Sequence, residues 1–247
     1  MVNLGEATTR MKEILELRHS PIAVKLIKPG EEVPRIKVPD RRPRHCQLLM
    51  LGRRGETLLL TPDQLACAAA SAAFGFSPLP EMISSGKMMH TLGLYESPEA
   101  AAETMRTMPR LKPGSISALV VGPLGDFPLK PDVIVVEGLP EQVMWLCLAR
   151  TFKSGGRLSF STSIFQCCCV DSTVVPYMTG EINMSPGCYG CRDATDTPKE
   201  DMFIGIPAAL LGEIVEGLEG LSKKAIPDAR MKRVYHAYIG SKNTSPP

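Results

Sequence analysis

Eight cysteines are spread between positions 46 and 191 of a 247-residue chain. Charged residues such as Glu6, Arg10 and Lys12 occupy the N-terminal stretch, so we expect no secretory signal segment and a cytoplasmic location. Cytoplasmic thiols stay reduced, so these cysteines are not expected to form structural disulfides. The fold must therefore bury them as small apolar side chains or bring some of them together for chemistry.

The charge balance argues against a nucleic-acid partner. The chain has 28 basic and 26 acidic residues, a net charge of +2, without the basic excess typical of nucleic-acid binders. The longest weakly polar run, 65–76, is shorter than the roughly 18 apolar residues of a membrane span.

One basic cluster is either a solvated loop or an electropositive rim near Cys46 that favours a thiolate. Its members are Arg41, Arg42, Arg44, Arg53 and Arg54.

Hydrophobic periodicity predicts alternating helices and strands. The predicted strands span 21–27, 56–60, 115–121, 132–137, 158–170 and 202–206. The predicted helices are one that ends before Pro21, one that starts at Thr61 with Cys67 on its second turn, one from Ser97 to about 108, one over 140–151, and one opened by Pro207. Strands that lack polar alternation are typical of a sheet covered on both faces. We therefore predict a mixed α/β (α+β) single domain over 1–239, a mixed sheet flanked by helices, and a flexible tail over 240–247.

The sharpest motif is the C-x-x-C formed by Cys188 and Cys191, which lies among glycines and is followed by Arg192. Glycines permit turns that expose amide groups to a sulfur, and the arginine is expected to lower a thiol pKa. A zinc ribbon would need a second such pair. A thioredoxin-like dithiol is disfavoured because 193–200 reads as a polar loop. An iron–sulfur site can take its ligands from scattered cysteines. The last interpretation is that Cys188 and Cys191 are plain loop thiols.

The other cysteines and one histidine add candidates. Cys167, Cys168 and Cys169 end a predicted strand, where Cys168 is expected to point away from the other two. Cys147 lies in an apolar stretch and is expected to be a core residue. His45 adjoins a cysteine and is either a metal ligand or incidental.

The order of these segments resembles the domain-of-unknown-function family 169 of archaea and bacteria, over about residues 20–207. The resemblance is carried by PIAVKL (21–26), Cys46-Gln47, LACAAASAAFGF (65–76), SGK (85–87), LGLYESPEAA (92–101), MPRL (108–111), VGPL (121–124), PDVIVVEGLPEQVMWL (131–146), CVDSTVVPYMTGE (169–181) and GCYGCR (187–192). It implies a cysteine-containing cytoplasmic protein, often of anaerobes, and names no substrate.

The resemblance also implies a ligand set. Cysteines of that family recur at positions matching Cys46, Cys67, Cys169 and Cys188, enough for one [4Fe–4S] cluster, with Cys191 as a spare metal ligand. We expect an iron–sulfur protein in electron transfer or small-molecule redox chemistry of anaerobic metabolism. Its partner would be a redox protein or a small-molecule substrate, and a homo-oligomer is compatible with the sequence. The alternatives are a thiol/disulfide protein in which Cys188 and Cys191 cycle, and a structural zinc protein.

Overall fold

Six strands form one sheet in the computed structural model, which describes residues 3–163 and 165–240. The strand order is β2-β3-β1-β4-β6-β5. The strands are β1 (Ile22–Ile27), β2 (Leu58–Leu60), β3 (Ala118–Pro123), β4 (Val133–Gly138), β5 (Asn183–Ser185) and β6 (Met202–Pro207). All their pairings are antiparallel. The predicted α/β class is confirmed, but the sheet is antiparallel where a mixed sheet was expected. Strands β3 and β4 run in the same direction, but β1 lies between them and pairs antiparallel with both.

Helices cover both faces of the sheet. The α-helices are α1 (Leu4–Leu15), α2 (His45–Arg53), α3 (Ala68–Ala73), α4 (Glu81–Ser84), α5 (Lys87–Thr91), α6 (Pro98–Arg106), α7 (Pro140–Thr151), α8 (Val175–Thr179), α9 (Tyr189–Ala194), α10 (Leu211–Ser222), α11 (Ala225–Arg230) and α12 (Arg233–Gly240). Two 3₁₀ turns (Pro62–Gln64, Ala208–Leu210) and a π-helix (Cys167–Val174) complete the elements. Across 3–163 and 165–240, no helix combines the length and apolar character needed to cross a membrane.

Alternate residues of β1 serve two separate cores. Ala23 and Ile27 pack with α1, α7 and α10 on one face. Val24 and Leu26 pack on the other, which we call the cysteine face because the clustered thiols lie there. Both sets are fully or almost fully buried, as expected for strands without polar alternation.

Several predicted elements are confirmed, and two are wrong. The helices at 4–15, 97–108 and 140–151 and the strands near 21–27 and 202–206 form as predicted. The helix predicted from Thr61 stops after one 3₁₀ turn, because the amide of Ala66 donates to the carbonyl of Pro43 at 3.0 Å. Cys67 consequently precedes α3 as its N-cap residue and does not lie on a second helical turn.

The strand predicted over 158–170 does not form. Asn183 accepts from the amide of Ser161 at 2.8 Å and donates to its carbonyl at 2.8 Å, occupying the groups that a strand ladder would use. The chain then turns into the π-helix, whose first three residues are the consecutive cysteines. The predicted tail lies outside the described residues apart from Gly240, which ends α12.

Candidate functional site

Seven of the eight cysteines lie together on the cysteine face, from four segments of the chain. They come from α2, the N-cap of α3, the π-helix, and the start of α9. This thiol cluster consists of Cys46, Cys67, Cys167, Cys168, Cys169, Cys188 and Cys191. All are free thiols. Cys147 packs against the opposite core, as expected for a core residue.

The π-helix explains how three consecutive cysteines reach one cluster. Its wider turn is visible in the hydrogen bond from the Asp171 amide to the Gln166 carbonyl, 3.1 Å long and five residues back. Consecutive side chains in such a turn diverge by less than the roughly 100° per residue of an α-helix. Cys168 therefore stays with its neighbours and does not point away, as a strand would require. Such π-turns often occur at functional sites.

A glycine of the sheet lets the π-helix lie close. A Cβ atom at Gly205 of β6 would stand 2.1 Å from the carbonyl oxygen of Ser172. Any larger residue would push the π-helix off the sheet and displace the three thiols that it carries.

The C-x-x-C segment is built around one left-handed residue. Gly187 has a φ of 101°, and Cys188 then caps α9, its sulfur accepting the amide of Cys191 at 3.3 Å. This is the amide-to-sulfur contact expected from the motif. The pair does open a helix after a strand, but α9 has only six residues.

Arg192 does not act on the thiols as predicted. Its guanidinium donates to the backbone carbonyls of Pro186, Pro198 and Asp201. Those contacts hold the loop on either side of α9 in place. The arginine is therefore a structural residue, and the pKa of the Cys188 thiol is raised, chiefly by burial.

The two direct sulfur contacts share Cys168. Its Sγ atom lies 3.5 Å from Cys191 Sγ and 4.0 Å from Cys167 Sγ. Hydrogen bonds from neighbouring thiols, that of Cys167 first, lower the pKa of Cys191 well below its usual value. Burial raises the pKa of Cys167 and Cys169. The neighbouring thiols therefore favour the ionised form of Cys191.

The four thiols predicted as cluster ligands all belong to the thiol cluster. Cys169 interacts electrostatically with Cys67 and Cys188, and Cys46 with Cys169 and Cys188. Cys46 and Cys67 are half-buried and form its more exposed edge. Within the described ranges, no three His, Cys, Asp or Glu side chains are arranged as around a bound metal ion.

His45 is buried beside the cluster and stays neutral. Its Nε2 atom lies 3.2 Å from the hydroxyl of Thr173, and its ring packs edge-on against Phe74 at 4.9 Å. Burial lowers the pKa of His45 to about 3. Its Nδ1 atom is buried without a hydrogen-bond partner among the described residues. A neutral imidazole with a spare nitrogen suits a metal site, which keeps the ligand interpretation open.

The arginines of the predicted basic cluster fall into two groups, those exposed to solvent and those that contact other elements of the fold. Arg41 and Arg42 are exposed, as a solvated loop predicts. Arg44 instead donates to the Gly190 carbonyl at 3.4 Å. The buried Arg53 pairs with Glu137 and Asp196. The contacts to Gly190 and Asp196 hold α2, which carries Cys46, against α9 and the residues that follow it. The contact to Glu137 joins α2 to β4.

Asp171, two residues after the cysteine triplet, predicts a pH-dependent stability. Burial raises its pKa from 3.8 to about 6, so the fold favours the protonated form. The carboxylate destabilises the fold above pH 6, and this penalty disappears as the pH falls towards 3.8. We expect Asp171→Asn to gain roughly 2 kcal/mol more over wild type at about pH 8 than at about pH 4.5. Urea unfolding of both proteins at the two pH values measures this difference, and a pH-independent difference would contradict it.

Comparisons with known proteins agree with the resemblance drawn from the sequence. The family model described as uncharacterised ArCR matches residues 10–217. The chain is 31% identical to Uncharacterized protein MJ0308 of Methanocaldococcus jannaschii over 219 residues, 87% of this chain and 94% of that protein. No solved structure matches the chain. The chain therefore belongs to the domain-of-unknown-function family 169.

Proposed function

We propose that the thiol cluster binds an iron–sulfur cluster, of the [4Fe–4S] type, and that the protein serves in electron transfer or small-molecule redox chemistry of anaerobic metabolism. The observation that carries this proposal is the gathering of seven thiols from four distant segments on one face of the sheet. Gathering seven thiols, five of them buried, in one cluster has no packing advantage over aliphatic side chains. Soft thiolates are the ligands that iron–sulfur clusters use.

The proposed ligands are Cys46, Cys67, Cys169 and Cys188, with Cys191 as the spare. The sulfurs of a cubane cluster stand apart around the inorganic core, so its ligands need proximity without mutual contact. Cys169 interacts electrostatically with Cys67 and Cys188, whereas Cys168 and Cys191 are in direct sulfur contact. Binding would require the thiols to lose their protons and the side chains to move apart to make room for the inorganic core.

The half-buried edge supports a redox role. Cys46 and Cys67 are the more exposed members of the cluster, so a bound cluster would lie near the surface there. That position suits exchange of electrons with a redox partner or a small-molecule substrate. We further propose a cytoplasmic location, because eight free thiols are typical of a reducing compartment.

Anaerobic purification with metal and sulfide analysis tests the proposal. We expect a brown protein with broad visible absorbance that bleaches on reduction, and iron and acid-labile sulfide in equal amounts. Reconstitution of the metal-free chain with ferrous iron and sulfide should restore the colour. Colourless protein that contains no iron after both procedures would rule the proposal out.

A mononuclear zinc site is the second candidate, favoured by the contact distances. Four sulfurs at about 2.3 Å from zinc in a tetrahedron stand about 3.8 Å from one another. The contacts of Cys168 with Cys191 and Cys167, at 3.5 and 4.0 Å, are close to that value. With Cys46 beside Cys191, these thiols would form the site. Metal analysis separates the candidates: one zinc and no sulfide per chain favours this one.

A further inference from the structure

The shorter of the two sulfur–sulfur contacts described above joins two different elements. Cys168 Sγ in the π-helix lies 3.5 Å from Cys191 Sγ in α9, whereas Cys188 Sγ accepts the amide of Cys191. We propose that Cys168 and Cys191 form a reversible disulfide that ties the π-helix to α9, and that this bond closes the thiol cluster to iron. The reactive pair thus differs from the C-x-x-C pair that the sequence suggests.

Disulfide geometry favours this pair over the adjacent cysteines Cys167 and Cys168. The two sulfurs need to approach from 3.5 Å to the about 2.05 Å of a disulfide, a movement that small side-chain rotations supply. Cys167 and Cys168 are 4.0 Å apart but adjacent in the chain. Adjacent Cα atoms stand about 3.8 Å apart, below the roughly 4.4 Å minimum usual for disulfides. A bond between Cys167 and Cys168 would therefore strain the backbone.

Access to the pair leads through Cys46. Cys168 and Cys191 are only 3% and 2% exposed, so an oxidant does not reach them directly. Cys46 is half-buried and its thiol interacts with that of Cys191. An oxidant that arrives from solvent meets Cys46 first and passes the reaction inward.

The oxidant is a small organic disulfide, and the exchange balances in three steps. Cys46 passes its proton to the Cys191 sulfur beside it, attacks one sulfur of the organic disulfide and expels a thiolate. Cys191 later gives that proton to the second thiolate that is expelled. Cys191 attacks the Cys46 sulfur, expels the second thiolate and forms a bond with Cys46. Cys168 then attacks the Cys191 sulfur and releases Cys46 as a free thiol. Two protein thiols lose two electrons and two protons, and the organic disulfide gains both and becomes two thiols.

The effect on iron rests on the proposed function. The proposed ligands Cys169 and Cys188 flank the pair, one on the π-helix and one at the start of α9. An inorganic core has to enter between these two elements, so their sulfurs must move apart. A covalent bond between Cys168 and Cys191 holds the elements at contact distance. The oxidised chain should therefore not load iron until a reductant opens the bond.

Thiol counting and peptide mapping of the metal-free protein test the disulfide. After anaerobic treatment with 2-hydroxyethyl disulfide, we expect alkylatable thiols to fall from eight by two. Cleavage after Glu181 and Tyr189 separates Cys168, Cys188 and Cys191 onto different peptides. Fragmentation of the linked peptides by mass spectrometry then shows which cysteine of the 167–169 triplet is bonded to Cys191. Cys188→Ser and the control Cys147→Ser should still form the Cys168–Cys191 link, whereas Cys168→Ser should stop at the Cys46–Cys191 bond of the second step. Cys46→Ser should slow the loss at least tenfold.

A cross-link between Cys188 and Cys191, or a link from Cys191 to Cys167 or Cys169 in Cys168→Ser, would overturn the proposed pair. An unchanged rate in Cys46→Ser would overturn the access route. Circular dichroism of each variant shows whether it is folded. Reconstitution with ferrous iron and sulfide tests the blocking effect: the oxidised wild type should take up less than a tenth of the iron of the reduced chain. Equal uptake refutes the blocking effect alone, and no uptake by the reduced chain refutes the proposed function while the peptide map still decides the disulfide.

Discussion

Cys67→Ala is expected to lose its bound iron and sulfide, while Cys168→Ala is expected to keep both. Cys67 is a proposed ligand that comes from a segment of its own, the N-cap of α3. Because its thiol is only half-buried, its removal leaves no large cavity in the core. Removing an outer partner of a metal ligand already lowers metal affinity by 10- to 100-fold, roughly, so loss of a ligand should lower it at least as much. Iron and sulfide analysis after anaerobic reconstitution measures the effect.

The matched control is Cys147→Ala, which removes a half-buried thiol from α7 on the opposite core. It should bind iron as the wild type does. The zinc candidate predicts the reverse pattern, in which Cys168→Ala loses the metal and Cys67→Ala retains it. That reverse pattern would contradict the proposed ligand set while keeping a metal in the thiol cluster.

Local signals in the sequence predict the elements that frame the site. The apolar spacing of Met11 and Leu15 predicts α1, and Pro140 at a helix start predicts α7. Runs of β-branched residues predict β3 and β4 as strands buried on both sides. These elements can be predicted because hydrophobic periodicity and helix-capping residues are properties of a single segment of the sequence. The gathering of distant cysteines was predicted from their number and from the family resemblance, since no segment carries it alone.

The π-helix lies beyond such local signals. Its residues, three cysteines followed by Val170 and then Asp171, read as the end of a strand. The turn forms because Asn183 occupies the backbone of Ser161 and because Gly205 leaves room for the Ser172 carbonyl. Both residues are distant in sequence and become visible only when the sheet is assembled. Contacts between distant residues thus decide the position of Cys168.

The structural role of Arg53 could not be predicted from the sequence either. Arg53 lies in the predicted basic cluster, where charge patterning predicts either solvation or a field on Cys46. Its partner Glu137 is 84 positions away and sits in a strand that reads as wholly apolar apart from that residue. Burial of the pair follows from the packing of α2 against the sheet, which the sequence does not reveal.

Arg53→Met is expected to destabilise the protein by about 3–5 kcal/mol, because it leaves the Glu137 carboxylate buried without its cation. The side chains of Arg53 and Glu137 are only 3% and 4% exposed. Burial already raises the pKa of Glu137 with Arg53 beside it, and loss of the arginine should raise it further. A carboxyl whose folded pKa is raised destabilises the fold above that pKa and ceases to do so as the pH falls below the unfolded value. The deficit of Arg53→Met should therefore shrink on acidification.

Urea unfolding of three variants separates the buried charge from simple loss of packing. Adding Glu137→Gln to Arg53→Met removes the uncompensated charge and should recover more than half of the lost stability near neutral pH. Arg41→Met, which replaces an exposed arginine of the same basic cluster, should change the free energy of unfolding by less than about 0.5 kcal/mol. If the double variant is as unstable as Arg53→Met at every pH, the cost lies in the packing of α2 and in the lost contact to Asp196. Arg53 would then stabilise the thiol cluster by holding α9 against α2, since Asp196 lies two residues after the end of α9.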